Sequence, residues 1–257
     1  MMELYEVPYL DAPYLNLMIM SDIHVGCENW QEKILDNDIL AVKEDPFARV
    51  IIPGDLFQRD LKNHKVGNVY HQAIPPGEQK YYLSDKLAPI KDKIIGACSG
   101  NHDDRTAEDN TDVRDLCKFL DVKFFDDEIC ISLSVGYGNH GKPSVYTGYG
   151  VHGSSNGSMV GSIANALAKL PNVCDADFYF QGHSHQPIWF PLSWFRRDMQ
   201  NKHMINVVRH FIAGGSYQGR DPYPVKKAMT PRVLGSPVVV LSGTDKAITV
   251  KLPNMPN

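Results

Sequence analysis

Short apolar runs alternate with longer amphipathic stretches along this chain, the pattern of an α/β protein. The runs that predict buried strands are Leu15–Met20, Arg49–Ile52, Lys93–Ala97, Val145–Val151, Phe178–Gln181, Val207–Ala213, Pro237–Leu241 and Ala247–Leu252. Helices are predicted over Trp30–Lys43, Glu78–Leu87, Asp112–Leu120 and Met159–Leu170. The first places Trp30 and Ile34, then Leu35, Ile39 and Val42 one step out of phase, on one broad face, and it stops before Pro46. No repeat, low-complexity tract or Pro/Gly/Ser-rich linker divides the sequence. One domain over residues 1–257 is expected, near the upper size for a single core.

Five of the predicted strands end in polar, metal-capable residues. Ser21-Asp22-Ile23-His24 follows the first, Pro53-Gly54-Asp55 the second, and Gly100-Asn101-His102-Asp103 the third. His152-Gly153 and Gly182-His183-Ser184-His185 follow the next two. Ligands of α/β folds bind where the carboxyl ends of strands converge, so these loops are expected to share one rim.

Asp22, His24, Asp55, Asn101, His152, His183 and His185 offer carboxylate, amide and imidazole donors and no thiolate. Such a set suits Mn, Fe, Zn, Ni or Co better than Cu(I) or an iron–sulfur cluster, and Mn is the first expectation. Seven ligands exceed one tetrahedral site and predict two divalent ions with a shared group. The i, i+2 pairs Asp22/His24 and His183/His185 would point to one side if their backbone were extended. Gly54, Gly100, Gly153 and Gly182 permit tight turns beside them.

The ordered series DxH, GD, GNHD, His-Gly and GHxH resembles the calcineurin-like metallophosphoesterases, with motifs spanning residues 22–185. The resemblance implies two mixed β-sheets packed face to face, with helices outside. It implies that Asp22, His24 and His185 bind the first metal, that Asn101, His152 and His183 bind the second, and that Asp55 bridges them. His102 matches the histidine that contacts the phosphate and is often assigned as general acid. The implied activity is hydrolysis of a phosphomonoester or phosphodiester, including esters of nucleotides or nucleic acid. Two cations would neutralise the phosphoryl oxygens and turn a shared water into hydroxide at neutral pH. The segment 58–80 and the closing Pro-Val-Val-Val run are similar to those of phosphoesterases from bacteria and their phages.

Two other functions compete. Gly54-Asp55-Leu56-Phe57 resembles the nuclease subunits of double-strand-break repair complexes, but the chain shows neither their DNA-capping domain nor a recognisable partner-binding tail. The family also contains a metal-poor scaffold of the endosomal retromer coat. Such members lose ligands, whereas all seven and His102 are present here.

Charge changes this picture little. The net charge of -4 gives no general affinity for nucleic acid. Eight Lys or Arg against two acids in residues 196–232 form either a solvated surface or a basic face near an anionic substrate. Arg59 reads as solvated, or as able to reach a phosphate. The leftover histidines His64, His71, His140, His203 and His210 read as surface or satisfied polar residues, with His64 and His71 in a loop able to overhang the site. Asp103 is expected to hold the His102 ring or to brace its loop. Trp189, Phe190, Trp194 and Phe195 read as core or a hydrophobic lid. Five unpaired cysteines without CxxC spacing, Cys27 among them as a packing residue, fit reduced thiols in the cytoplasm. Neither a signal peptide nor a membrane-spanning run is predicted, so no membrane partner is expected, and the sequence leaves the oligomeric state open.

Overall fold

The computed structural model describes residues 2–60, 69–105, 111–137, 141–154, 159–219 and 232–253. His64, His140, Arg220, Lys226 and Lys227 lie outside these described residues.

In chain order the elements are β1 (Tyr5–Leu10), β2 (Tyr14–Ile19), α1 (Glu32–Glu44), β3 (Ala48–Pro53), α2 (Pro76–Leu87), β4 (Ile94–Cys98), α3 (Thr111–Leu120) and β5 (Lys123–Phe125). They continue with β6 (Glu128–Val135), β7 (Ser144–Val151), α4 (Val160–Leu167), β8 (Phe178–Gln181), β9 (Ile188–Asp198), β10 (His203–Ala213), β11 (Val238–Ser242) and β12 (Ile248–Lys251). Two six-stranded sheets result, in the orders β1-β6-β7-β8-β10-β9 and β12-β11-β2-β3-β4-β5. Both are mixed: β2, β3, β4 and β5 run parallel while β11 is antiparallel to β2, and β7 is parallel to β8 but antiparallel to β6.

The two-residue period of each strand sorts side chains into layers. Leu15, Leu17 and Ile19 of β2 turn toward Ile129, Ile131, Leu133, Phe178, Phe180 and Ile212 of the other sheet and fill the space between sheets. Met18 and Met20 face the opposite way, with Val50 and Ile52, into Leu35, Ile39, Val42, Leu83, Leu87, Val113 and Leu116 of three helices. On the far side of the first sheet, Tyr149, Tyr179 and Phe211 pack under Ile163 and Leu167 of α4. The architecture is the expected one, two mixed sheets face to face with helices outside.

All eight predicted strands and four predicted helices are present, with ends shifted by a few residues. Four strands were not predicted. β5 has only three residues, and β9 contains Pro191, which lacks the N–H of an interior strand. Pro191 is tolerated because β9 is the outer strand of its sheet. β6 has real alternation, with Ile129, Ile131, Leu133 and Val135 buried and Ser132 and Ser134 on the other face, whereas β1 contains Pro8 and buries only Val7. Of the aromatic cluster after GHSH, Phe190 packs on the core and the other three lie on the β9–β10 ribbon. Phe195 is 74% exposed on the β9–β10 ribbon, while Phe190 and Trp194 lean on Phe211 and Trp189 stacks on His210. β10 pairs with β8 from His210↔Phe178 to Ala213↔Gln181, so the ribbon end bearing Arg196, Arg197 and Lys202 points away from His183. The described part of the basic stretch therefore does not border the metal-capable rim, and Arg209 is held by Asp175 and Asp177.

Close packing across β7 and β8 depends on missing side chains. Gly150 lies opposite Phe180 in the register, and a Cβ there would overlap the phenyl ring. Gly150→Ala should therefore destabilise the protein by about 1–3 kcal/mol through overpacking, lowering the melting temperature by several degrees. Gly161→Ala, in α4 with no atom near its Cβ, should leave the melting temperature unchanged or raise it. Calorimetric melting of both variants checks the contrast.

Candidate metal centre

Each strand that was expected to end at the rim does so. Asp22 and His24 follow β2, Asp55 follows β3, Asn101 follows β4, His152 follows β7, and His183 and His185 follow β8. Ligand atoms of Asp22, His24, Asp55 and His185 lie within 4.8 Å of one another, as do those of Asp55, His152 and His183. Asn101 completes the second group: its Oδ1 is 2.7 Å from His183 Nδ1 and 3.1 Å from His152 Nε2.

Asp55 belongs to both groups, and its two oxygens have different surroundings. Oδ1 accepts the backbone N–H of His102 at 2.8 Å. Oδ2 is 3.7 Å from His24 Nε2 and 3.3 Å from His152 Nε2, so one oxygen faces both clusters. Asp22 is fixed in a similar way, because the His183 N–H donates to its carboxylate at 2.9 and 3.0 Å. Its Oδ1 then stands 3.1 Å from His185 Nε2.

The geometry corrects one expectation about how the i, i+2 pairs converge. Asp22, His24, Asp55, His183 and His185 all have φ between 50° and 66°, in the left-handed region, so extended alternation is not what aligns them. Asp and His enter this region more readily than β-branched residues, and hydrogen bonds between loops hold them there. Asp22 N–H donates to Gly54 O, His24 N–H to Asp55 O, and Tyr217 N–H to Asp22 O. The Ser216 hydroxyl also donates to Asp22 O at 3.0 Å, which gives the Gly214-Gly215-Ser216 turn a structural purpose. Gly54, at φ 84°, is pressed against the His152 ring, where a Cβ would collide with it.

The electrostatics fit cations. Asp22 and Asp55 are almost wholly buried. Burial works against the Asp55 charge, but His152, His24 and His102 hold its carboxyl well below the usual range. Burial likewise opposes a proton on His152, yet the Asp55 carboxylate overrides it and pushes the imidazole up to about 10. Burial and the neighbouring His102 and His185 keep His24 well below its ordinary value, as a neutral ligand-type imidazole. Nε2 of His24 and Nε2 of His185 face each other at 2.9 Å, and the Nδ1 atoms of both rings are buried without a partner. A divalent ion would satisfy these converging lone pairs and the carboxylates together. His152 is already set for such a role, because its Nδ1 is 2.9 Å from Pro53 O, leaving Nε2 to face the cluster.

Asp103 braces the loop and does not touch the His102 ring. Its carboxylate accepts N–H bonds from Leu56 at 3.2 Å, Phe57 at 2.9 Å and Gly100 at 2.8 Å, tying the GD and GNHD turns together. Burial and the Asp55 charge push its carboxyl up to about 7, against those three donors. The His102 ring lies 4.5 Å from that of His24, with Nδ1 3.1 Å from Gln58 O and Nε2 2.7 Å from Nη2 of Arg105. A proton on Nδ1 satisfies Gln58, and Nε2 then accepts from Arg105. Burial, opposed by Asp55 and reinforced by Arg105, pushes His102 down to about 4.

Arg59 is neither solvated nor directed at the rim; it is buried and paired with Asp112. His71 is exposed beside Glu28, and Cys27 is buried and outside both ligand groups. Arg105 and Asp60 are the residues that sequence reasoning missed. The available signal was spacing, since Arg105 stands three residues after His102 at the end of the 3₁₀ turn Asp103–Arg105, where i and i+3 side chains eclipse.

Residues 15–187, more than half of the chain, match the family model described as calcineurin-like phosphoesterase. No curated protein matches. Similar solved structures include a single mutant of Vps29 from Entamoeba histolytica, at 13% identity over 92% of this chain and 90% of that one, with a TM-score of 0.45. Another is a conserved uncharacterized protein, a predicted phosphoesterase, from Streptococcus pneumoniae, at 12% identity over 90% and 85% of the two chains, with a TM-score of 0.40.

Because Asp55 Oδ2 faces both clusters, Asp55→Ala should abolish uptake of both ions, whereas Asn101→Ala should weaken only one. Metal content after loading and gel filtration, measured by mass spectrometry, checks this. Protons compete with cations for His152, so loading should release protons and affinity should keep rising with pH until about 10. Calorimetric titration in buffers of different ionisation enthalpy measures that release.

Proposed function

The chain belongs to the calcineurin-like phosphoesterase family, and on that premise we propose that it is a dinuclear-metal hydrolase of phosphate mono- or diesters. The observation that carries this reading is the single oxygen of Asp55 facing two groups of ligands at once. In this reading Asp22, His24 and His185 hold one ion, Asn101, His152 and His183 hold the other, and Asp55 bridges them. The donor set accepts Mn first, and Fe, Zn, Ni or Co also fit it. Bound there, a cation pair supplies Lewis-acid neutralisation of the phosphoryl oxygens and acidifies water for attack in line with the leaving oxygen.

The chain's own residues contribute position and charge. The floor is dry and rigid, with Asp22, His24 and Asp55 at 0–1% exposure. Asn101 is exposed and His183 half-buried, so the open side lies over the second ligand group, and an ester approaches from there. His102 stands beside the metals as a phosphate contact. In the free protein Nε2 accepts from Arg105 and carries no proton, so general-acid donation from it requires both release of Arg105 and uptake of a second proton by the ring.

The whole chain acts as one catalytic domain in this reading. Strands outside the matched span support that, since β1, β9 and β10 belong to one sheet and β11 and β12 to the other. Free cysteines fit a reducing compartment such as the cytoplasm. Among the described residues no helix is long and apolar enough to cross a membrane.

Turnover of chromogenic mono- and diesters, cyclic nucleotides and single- and double-stranded DNA, each with added Mn, tests the proposal. Hydrolysis should vanish with chelator and return with metal. Asn101→Ala and His102→Ala should each lower kcat, the latter by about 10²–10⁴-fold if it serves in proton transfer. Unchanged turnover in both variants would refute the site. Cleavage confined to DNA would identify a nuclease, and inactivity with two ions bound would identify a scaffold.

A further inference from the structure

Arg105 brings a permanent positive charge to the edge of this centre. Its Nη1 is anchored by Asp60 Oδ1 at 3.0 Å and reaches Gln58 O at 3.4 Å, while Gln58 Nε2 donates to the same Asp60 oxygen at 3.0 Å. Asp60 and Gln58 are themselves buried, so the anchor is built into the fold and is not a surface pairing. The other end of the guanidinium, Nη2, donates to His102 Nε2 at 2.7 Å. The His102 backbone is in turn bound to Asp55, whose second oxygen faces the two ligand groups.

This arrangement is poised for exchange. A neutral imidazole is a weaker acceptor for a guanidinium than an anionic oxygen, because the negative charge of the oxygen adds ion-pair attraction and an oxyanion group can take two parallel N–H bonds. Among the described residues, the neighbouring cations Arg59 and Lys80 have carboxylate partners: Arg59 pairs with Asp112, and Lys80 with Asp112 and Asp115.

We propose that Arg105 is a further substrate-binding residue of this centre, which rests on His102 in the free protein and turns its Nη2 hydrogens onto a phosphoryl oxygen when a phosphate ester binds. This rests on the phosphoesterase reading above. Asp60 holds the guanidinium during the exchange and acts as a positioning residue. No bond to phosphorus is made or broken by Arg105; it supplies hydrogen bonds and charge, and it frees His102 Nε2 to face the substrate.

Calorimetric titration of the Mn-loaded protein with inorganic phosphate tests this without turnover. Arg105→Gln should weaken phosphate binding by about tenfold or more with metal content unchanged, while loss of the buried Asp60 pairing lowers the melting temperature. Arg105→Lys should be intermediate, since the charge remains but the two-pronged geometry is lost. In ester hydrolysis, Arg105→Gln should raise KM more than it lowers kcat. Equal phosphate affinity in the wild type and Arg105→Gln would overturn the role of Arg105 and leave the phosphoesterase reading standing. A metal-loaded wild type that neither binds phosphate nor cleaves any ester would overturn both. If Arg105→Gln loses metal or fails to fold, Arg105→Lys decides by the same titration, and wild-type affinity there would count against the proposal.

Discussion

Two carboxylates, Asp22 and Asp55, sit at the floor of the molecule with almost no contact with water. Burying such charges is costly unless positive charge and hydrogen bonds meet them, and the rest of the rim is organised to do that. One oxygen of Asp55 and both oxygens of Asp22 are held by backbone N–H groups. What remains points at four imidazoles and an amide. The Asp55 charge draws a proton onto His152 against its burial. A divalent pair would answer the same demand with more charge in less space, and the buried Asp and His clusters are consistent with such a pair.

Holding the ligands there requires unusual backbone. Five site residues occupy left-handed conformations, each costing of order 1–3 kcal/mol. Loop-to-loop hydrogen bonds, Asp22 to Gly54 and His24 to Asp55, leave little freedom to relax. Behind them, three apolar layers anchor the strands from which the loops emerge. Asp103 adds a second constraint, gripping the GD and GNHD turns through three N–H groups. Stability made between the sheets is thus used at the rim.

Charge alternates outward from the bridge. Asp55 binds the His102 backbone, the His102 ring accepts from Arg105, and Arg105 rests on Asp60. Such a chain fixes each member by the next and gives the open side of the centre a positive edge. The β9–β10 ribbon takes no part in it, since the register of β10 with β8 carries the ribbon's basic end away from the site.

The convergence of the seven candidate ligands was legible because each lies next to a strand whose apolar run is unmistakable. His183 and His185 follow Phe178–Gln181, and Asp55 follows Ile51 and Ile52. The layered α/β architecture was legible for the same reason, as period-two burial is written locally. β5 and β9 were harder, because a three-residue strand or one containing Pro191 is stabilised by its neighbours and not by its own pattern, whereas β6 carries its own alternation of Ile129, Ile131, Leu133 and Val135. Residue types and their order along the chain determined which groups stand at the strand ends and what they can bind. Only the tertiary structure decided the left-handed aim of Asp22 and His24, the pairing of Arg59 with Asp112, and the placing of Arg105 on His102. Those depend on distances between segments far apart in sequence, and packing, not local propensity, sets such distances.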